Sequence, residues 1–214
     1  GAGMDITVNA DIASGNGNVS VIAAGSVSFT GTADIRTTST AASSGSIDVV
    51  GGTGSITQSA TSVFLSTGAS ATARLLAATD VTVGDIELAD GRVSITATAG
   101  SILDADALIA GTPATNDADQ DVTAASLRLW AGVGIGQTVN HLETTVGTLS
   151  ARATSGGIYV LEADGLIVDD VTVTANRVLS TGVVTGSTVS DALQSDVRTT
   201  GGNGSIVLRT KAGD

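Results

Sequence analysis

Cysteine is absent from the 214 residues, so neither a disulfide framework nor thiol chemistry is open to this chain. Histidine occurs once, as His141, which excludes a zinc site built on two histidines. Aromatic residues make up only 2%, namely Phe29, Phe64, Trp130 and Tyr159. With so few rings to fill a wide interior, the core has to be thin and built from similar layers. Basic residues are scarce too, nine against 21 acidic ones, for a net charge of −12. Binding to nucleic acid needs Lys and Arg to displace phosphate counterions, so the charge balance speaks against it. An anionic membrane surface is a poor partner for the same reason. The acidic balance instead favours divalent cations. No apolar run approaches the roughly 18 residues of a membrane-spanning helix. The opening residues, GAGMDITVNADI, carry neither the basic nor the apolar region of a signal peptide.

What is present is small and repetitive. Hydrophobic residues reach 42% and there are 28 glycines, so the chain is apolar enough to fold, but in short pieces. Apolar residues recur at i and i+2, as in Ile6/Val8, Val19/Val21, Val27/Phe29, Ile47/Val49, Val81/Val83, Val93/Ile95, Leu127/Leu129, Ile158/Val160, Val171/Val173 and Ile206/Leu208. That period marks short strands with one buried face. The best helical candidate, SATARLLAAT at 70–79, is short and flanked by strand patterns, and reads as strand and loop. Strands restarting about every 6 to 12 residues fit an all-β fold of two kinds. One is an antiparallel β-sandwich, supported by turn dipeptides such as Asn16-Gly17 and Asp90-Gly91. The other, which explains more, is a parallel β-helix (solenoid) of about nine coils, each with a thin core buried by its neighbours.

The triplet Gly-Ser-Ile appears four times, beginning at Gly45, Gly54, Gly100 and Gly204. In a solenoid it reads as a corner followed by a strand. Glycine takes a bend where φ is free to be positive and a neighbouring backbone lies close. The serine hydroxyl ties the turn, and the isoleucine is the first inward residue. Residues 1–214 therefore read as one solenoid segment, an internal piece of a longer repetitive array.

Few constellations point to chemistry. His141 is flanked by Asn140 and Leu142, with Glu143 beyond; a serine–histidine–acid set needs only spatial proximity, but a single histidine between strands reads as a surface residue. Carboxylate pairs for polysaccharide cleavage are available in Asp104/Asp106, Glu162/Asp164 and Asp169/Asp170. The arginines that would accompany them, Arg92, Arg128, Arg152, Arg177 and Arg198, are scattered along the chain. The threonine pairs Thr96/Thr98 and Thr172/Thr174 do not recur at coil spacing, against an ice-binding array. The strongest anomaly is 104–121, DADALIAGTPATNDADQD, where the strand rhythm lapses and five aspartates gather around the chain's one proline. Asp117, Asp119 and Asp121 follow D-x-D-x-D spacing, which could supply three of the six to eight oxygens that calcium takes. Otherwise the segment is a solvated acidic loop.

Between Leu127 and Val168 the pattern becomes more specific. Gly134-Ile135-Gly136, Asn140, Leu142-Glu143-Thr144, Val146-Gly147-Thr148-Leu149, Gly157-Ile158-Tyr159-Val160 and Glu162-Ala163-Asp164-Gly165-Leu166 form a frame that resembles segments of filamentous-haemagglutinin-like proteins and related giant repetitive bacterial adhesins. The resemblance implies a right-handed parallel β-helix at the surface of a Gram-negative bacterium or outside it. It also implies a non-catalytic stalk or adhesive role towards host-cell, matrix or polysaccharide surfaces. Neighbouring repeats would continue the rod, and an isolated segment would tend to associate end to end. A polysaccharide-binding or polysaccharide-cleaving β-helix module is the alternative.

Overall fold

The computed structural model describes residues 4–38, 45–106, 119–183 and 187–211, and within them the chain is a parallel β-helix with no helical segment. One column of residues shows how it winds. Ile6, Val27, Ile56, Val81, Ile102, Ile135, Ile158 and Ile206 pair in succession, each in parallel with the next. Eight stations in one column make seven full turns. The steps run from 21 residues, between Ile6 and Val27, to 48, between Ile158 and Ile206. The expectation of about nine coils assumed an even pitch, and two long insertions use up the difference. Parallel pairing throughout the walls also removes the sandwich alternative.

Three walls meet at three corners. The first holds the column just named. The second stacks Ile12, Ile35, Phe64, Ile86, Val122, Thr144 and Glu162. The third stacks Val21, Val49, Leu75, Ile95, Leu129 and Ala151, all turned inward and buried. The segment 70–79, read as strand and loop, supplies strand Thr72–Ala77 of this wall. Where the third wall ends, Ala23, Gly51, Ala77, Ala97, Ala131 and Ala153 lie one above another, so only small residues occupy that tight corner. The two phenylalanines pack edge to face inside, with ring centroids 4.7 Å apart. Each inward aliphatic side chain is worth roughly 1.5–3 kcal/mol when fully buried, and no turn can bury its own without the next.

The corners explain both the Gly-Ser-Ile triplet and much of the acidity. Side chains just ahead of a strand accept the backbone N–H of the equivalent residue one turn later. Asp5 Oδ1 accepts from Ser26 N at 2.7 Å, Ser26 Oγ from Ser55 N at 3.2 Å, and Asp80 Oδ1 from Ser101 N at 2.7 Å. On the other walls Asn18 serves Ser46, Asp11 serves Asp34, Asp34 serves Val63 and Asp121 serves Glu143. In the first three triplets the serine thus donates its N–H to a side chain of the preceding turn. Isoleucine does point inward at Ile47, Ile56 and Ile102, all fully buried. Ile56, Ile102 and Ile206 share the first wall, whereas Ile47 opens the third. Glycine has two reasons. Gly45 has φ of 91°. A Cβ on Gly54 would lie 2.9 Å from Ser26 N, and one on Gly204 2.6 Å from Gly156 C, so there glycine is needed because the previous turn fills the space.

The longest step contains an element that breaks the winding. Val168 pairs with Leu149 and Val197 with Ala151, so the chain re-enters the third wall two positions from where it left. Everything from 169 to 196 is therefore an insertion within one rung. It forms an antiparallel hairpin, Val171–Asn176 against Thr188–Gln194, laid as a strap over the outside of the third wall. Its Val171, Val173 and Ala175 are buried. The Val171/Val173 alternation has the period of a coil strand, because a hairpin also buries one face.

The wall beneath the strap carries an outward column of Ser20, Asp48, Arg74, Ser94, Arg128 and Ser150, in register from turn to turn. The strap bonds to almost every member. Ser20 Oγ accepts from Val178 N at 2.8 Å, and Ser46 Oγ from Asn176 N at 3.1 Å. Asp48, fully buried, binds Arg177 Nε at 2.6 Å and Arg74 NH1 at 3.1 Å, while Arg74 Nε reaches Asp191 of the strap at 3.0 Å. Further along, Arg128 Nε donates to Ala192 O at 3.0 Å, Gln194 Nε2 to Leu129 O at 2.9 Å, and Ser150 Oγ to Asp196 O at 3.2 Å.

Candidate functional site

The acidic excursion of 104–121 begins and ends at one corner of the second wall. Asp117 lies outside the described residues. Asp119 is exposed, whereas Asp121 is buried, with its carboxylate engaged by Glu143 N–H at 2.6 Å. Among the described residues, Asp121 is joined by the start of the excursion. Carboxylate oxygens of Asp104, Asp106 and Asp121 all lie within 4.8 Å of one another. Asp104 Oδ1 accepts from Asp106 N at 2.6 Å, and its Oδ2 accepts from Asn140 Nδ2, also at 2.6 Å. Asn140 is presented by a tight turn in which Gln137 and Asn140 exchange backbone hydrogen bonds.

The corner is strongly electronegative. Burial holds the Asp121 carboxyl well above the usual carboxylate range, and the charge of Asp104 and a hydrogen bond with it act in the same direction. Two carboxyl groups that hydrogen-bond each other share a proton. Asp85, one turn earlier on the same corner, is pushed up to about 6, first by burial and then by the charges of Asp119, Glu87, Asp106 and Asp34. Without an added cation, the corner relieves its repulsion by keeping protons. The donor set is all oxygen, which suits calcium or magnesium by chemistry, and one oxygen from each of the three carboxylates supplies part of the six to eight that calcium takes.

The other candidates separate cleanly. Glu162 points into the core column of the second wall and is 1% exposed. Its carboxylate accepts from Thr144 Oγ1 at 2.8 Å and from Val146 N at 3.0 Å, so it replaces the strand that stops there. Asp164 is exposed, and Asp169 and Asp170 are exposed where the strap begins. His141 is buried rather than at the surface, 4% exposed, and stacks on Tyr159 with centroids 5.9 Å apart. Burial lowers its pKa, with Arg209 adding to the effect. No serine hydroxyl among the described residues hydrogen-bonds it. Thr96 is buried and accepts a hydrogen bond from Arg128, while Thr172 and Thr174 sit on the strap, so the threonine pairs share no flat face.

The arginines are where sequence reasoning missed most. Arg128, Arg152 and Arg198 look scattered along the chain, yet they line one cavity of about 320 Å³ between the third wall and the open end of the strap. Trp130 lies among them, in register with Arg152, which is in register with Arg198. The signal that could have found them is the coil register itself, since residues far apart in sequence become neighbours once the turns are aligned. Among known proteins, no family model, no curated protein and no solved structure matches this chain.

Proposed function

We propose that the chain is a structural, non-catalytic segment of a large repetitive protein exposed at or outside the surface of a Gram-negative cell, similar to the filamentous-haemagglutinin-like adhesins. The observation that carries this reading is the strap. A hairpin inserted in one rung runs back along the rod and bonds to successive turns from Ser20 to Ser150. A solenoid under tension fails by peeling turns apart, because each turn holds only its neighbours. A strap fixed across several turns opposes that failure, which is what a stalk requires. The corner hydrogen bonds from one turn to the next act in the same sense.

The last turn supports continuation of the rod. Ile206 and Leu208 are 43% and 37% exposed, where earlier members of their columns are covered by the next turn. A further repeat, or a second copy meeting this end, would bury them. Attachment to host-cell, matrix or polysaccharide surfaces completes the adhesive role.

Single-molecule pulling between the two termini tests the reading. The expected trace has a high-force event that falls sharply in Asp48→Ala, because that variant unlatches the strap. Extension at low force, the same in both proteins, would remove the structural role. Cleavage of acidic polysaccharides by the purified chain would favour the polysaccharide-cleaving alternative instead.

A further inference from the structure

The cavity at the open end of the strap has a composition at odds with the rest of the molecule. The chain has nine basic residues and a net charge of −12, yet three of the nine meet in this one cavity and no acid lines it. Elsewhere under the strap arginines are matched: Arg74 and Arg177 share Asp48, and Arg74 also holds Asp191. Arg152 and Arg198 make no ion pair among the described residues. They stand directly opposite each other on neighbouring parallel strands, roughly 4.8 Å apart at the backbone. Like charges in that position repel. Arg128, beside them, is held in place by Ser94 Oγ, Thr96 Oγ1 and Ala192 O, and the charge of Asp191 also acts on it, so the unmatched charge in the cavity lies with Arg152 and Arg198. Asp196 is near in sequence, but its backbone carbonyl caps Ser150 and its carboxylate takes the Ser195 hydroxyl at 3.4 Å.

Arginines without an acid partner around a concave space can receive an anion, because the guanidinium fork matches a planar two-oxygen anion. The volume lies at the small end of ligand pockets, suited to one ring or a short chain rather than a polymer. Trp130 adds a flat apolar surface, and Gln194 and Ser195 add polar groups at the strap side. We propose that this cavity binds a small carboxylate anion of about the size of one acidic sugar, with Arg152 and Arg198 as its charge partners. The inference rests on the cavity alone and stands independently of the adhesive reading.

Trp130 is the chain's one tryptophan, so indole fluorescence reports on this cavity and on nothing else. The full chain is titrated with glucuronate, with glutarate as a carboxylate that is not a sugar, and with glucose as the uncharged control. The expected result is a saturable change with glucuronate, none with glucose, and an affinity weakened about tenfold or more in Arg152→Gln and in Arg198→Gln, the loss of one charge-assisted contact. An equal response to glutarate shows that the carboxylate alone is read, and a response to glucuronate alone assigns the source to a sugar acid. The proposal is overturned by no response to either carboxylate, by an equal response to glucose, or by unchanged affinity in both variants. Arg198 is exposed, so Arg198→Gln keeps the test sound if Arg152→Gln fails to fold, with a thermal scan as the check.

Discussion

Two charge clusters, each with one buried aspartate, lie on this rod, and they handle the same problem in opposite ways. Under the strap, Asp48, Arg74, Arg177 and Asp191 alternate in sign, and each charge has a partner at 2.6–3.1 Å. At the corner of the second wall, Asp85, Asp104, Asp106 and Asp121 share one sign. The first cluster is complete in itself, and breaking it leaves a buried charge exposed to its cost. The second is complete only with protons or a cation, and its charged form works against folding. One latches an element in place; the other makes stability respond to pH.

The largest effect is expected from Asp48→Ala, which leaves Arg74 with one partner and Arg177 with none. Stranding buried charges costs about 3–5 kcal/mol, read as a lowered midpoint in urea denaturation. A loss under 1 kcal/mol would break the comparison. Next comes Gly54→Ala, a change at a corner that carries no charge and so separates latch from rod. Its Cβ meets the backbone of the preceding turn, and overpacking of that kind costs about 1–3 kcal/mol. It should lower the denaturation midpoint without loosening the strap relative to the walls.

Asp85→Asn is expected to act in the opposite direction. Asp85 is raised from 3.8 to about 6 in the folded chain, so folding takes up a proton between those values. Its contribution is fully present below pH 3.8 and is lost as pH rises through about 6. The wild type should therefore lose stability on going from mildly acidic to neutral pH. The asparagine variant should gain about 1–2 kcal/mol at pH 7.5, a value discounted because the group is partly solvated, and gain little at pH 4. A gain that is the same at both pH values would contradict the account. The smallest effect belongs to Arg198→Gln, exposed and without an ion pair, whose stability should change by less than about 0.5 kcal/mol. That neutrality makes it the cleanest probe of the arginine cavity.

Much of the rod was legible from alternation alone. Val19/Val21, Ile47/Val49, Val93/Ile95 and Leu127/Leu129 all turn inward as their period demands. The corner role of Gly-Ser-Ile was also readable, though not its mechanism, since the serine N–H and the space left by the previous turn matter only once turns are stacked. The strap was not legible: Val171-Thr172-Val173 has the same period in a hairpin as in a wall, and its direction of pairing leaves no local mark. The metal-like spacing of Asp117, Asp119 and Asp121 drew attention to the right insertion. Among the described residues, Asp121 gathers with Asp104 and Asp106, from the other end of the excursion. Arg128, Arg152 and Arg198 stayed invisible because register, which brings them together, is a long-range property.

The central claim is that the strap is a fixed part of the rod, latched by Asp48, and hydrogen exchange followed by mass spectrometry tests it most directly. The account predicts that amides of 171–176 and 188–194 exchange as slowly as those of the third wall in the wild type. In Asp48→Ala they should exchange much faster while the wall segment 93–97 stays protected. Rapid exchange of the strap in the wild type, or a strap unaffected by loss of Asp48, would contradict it.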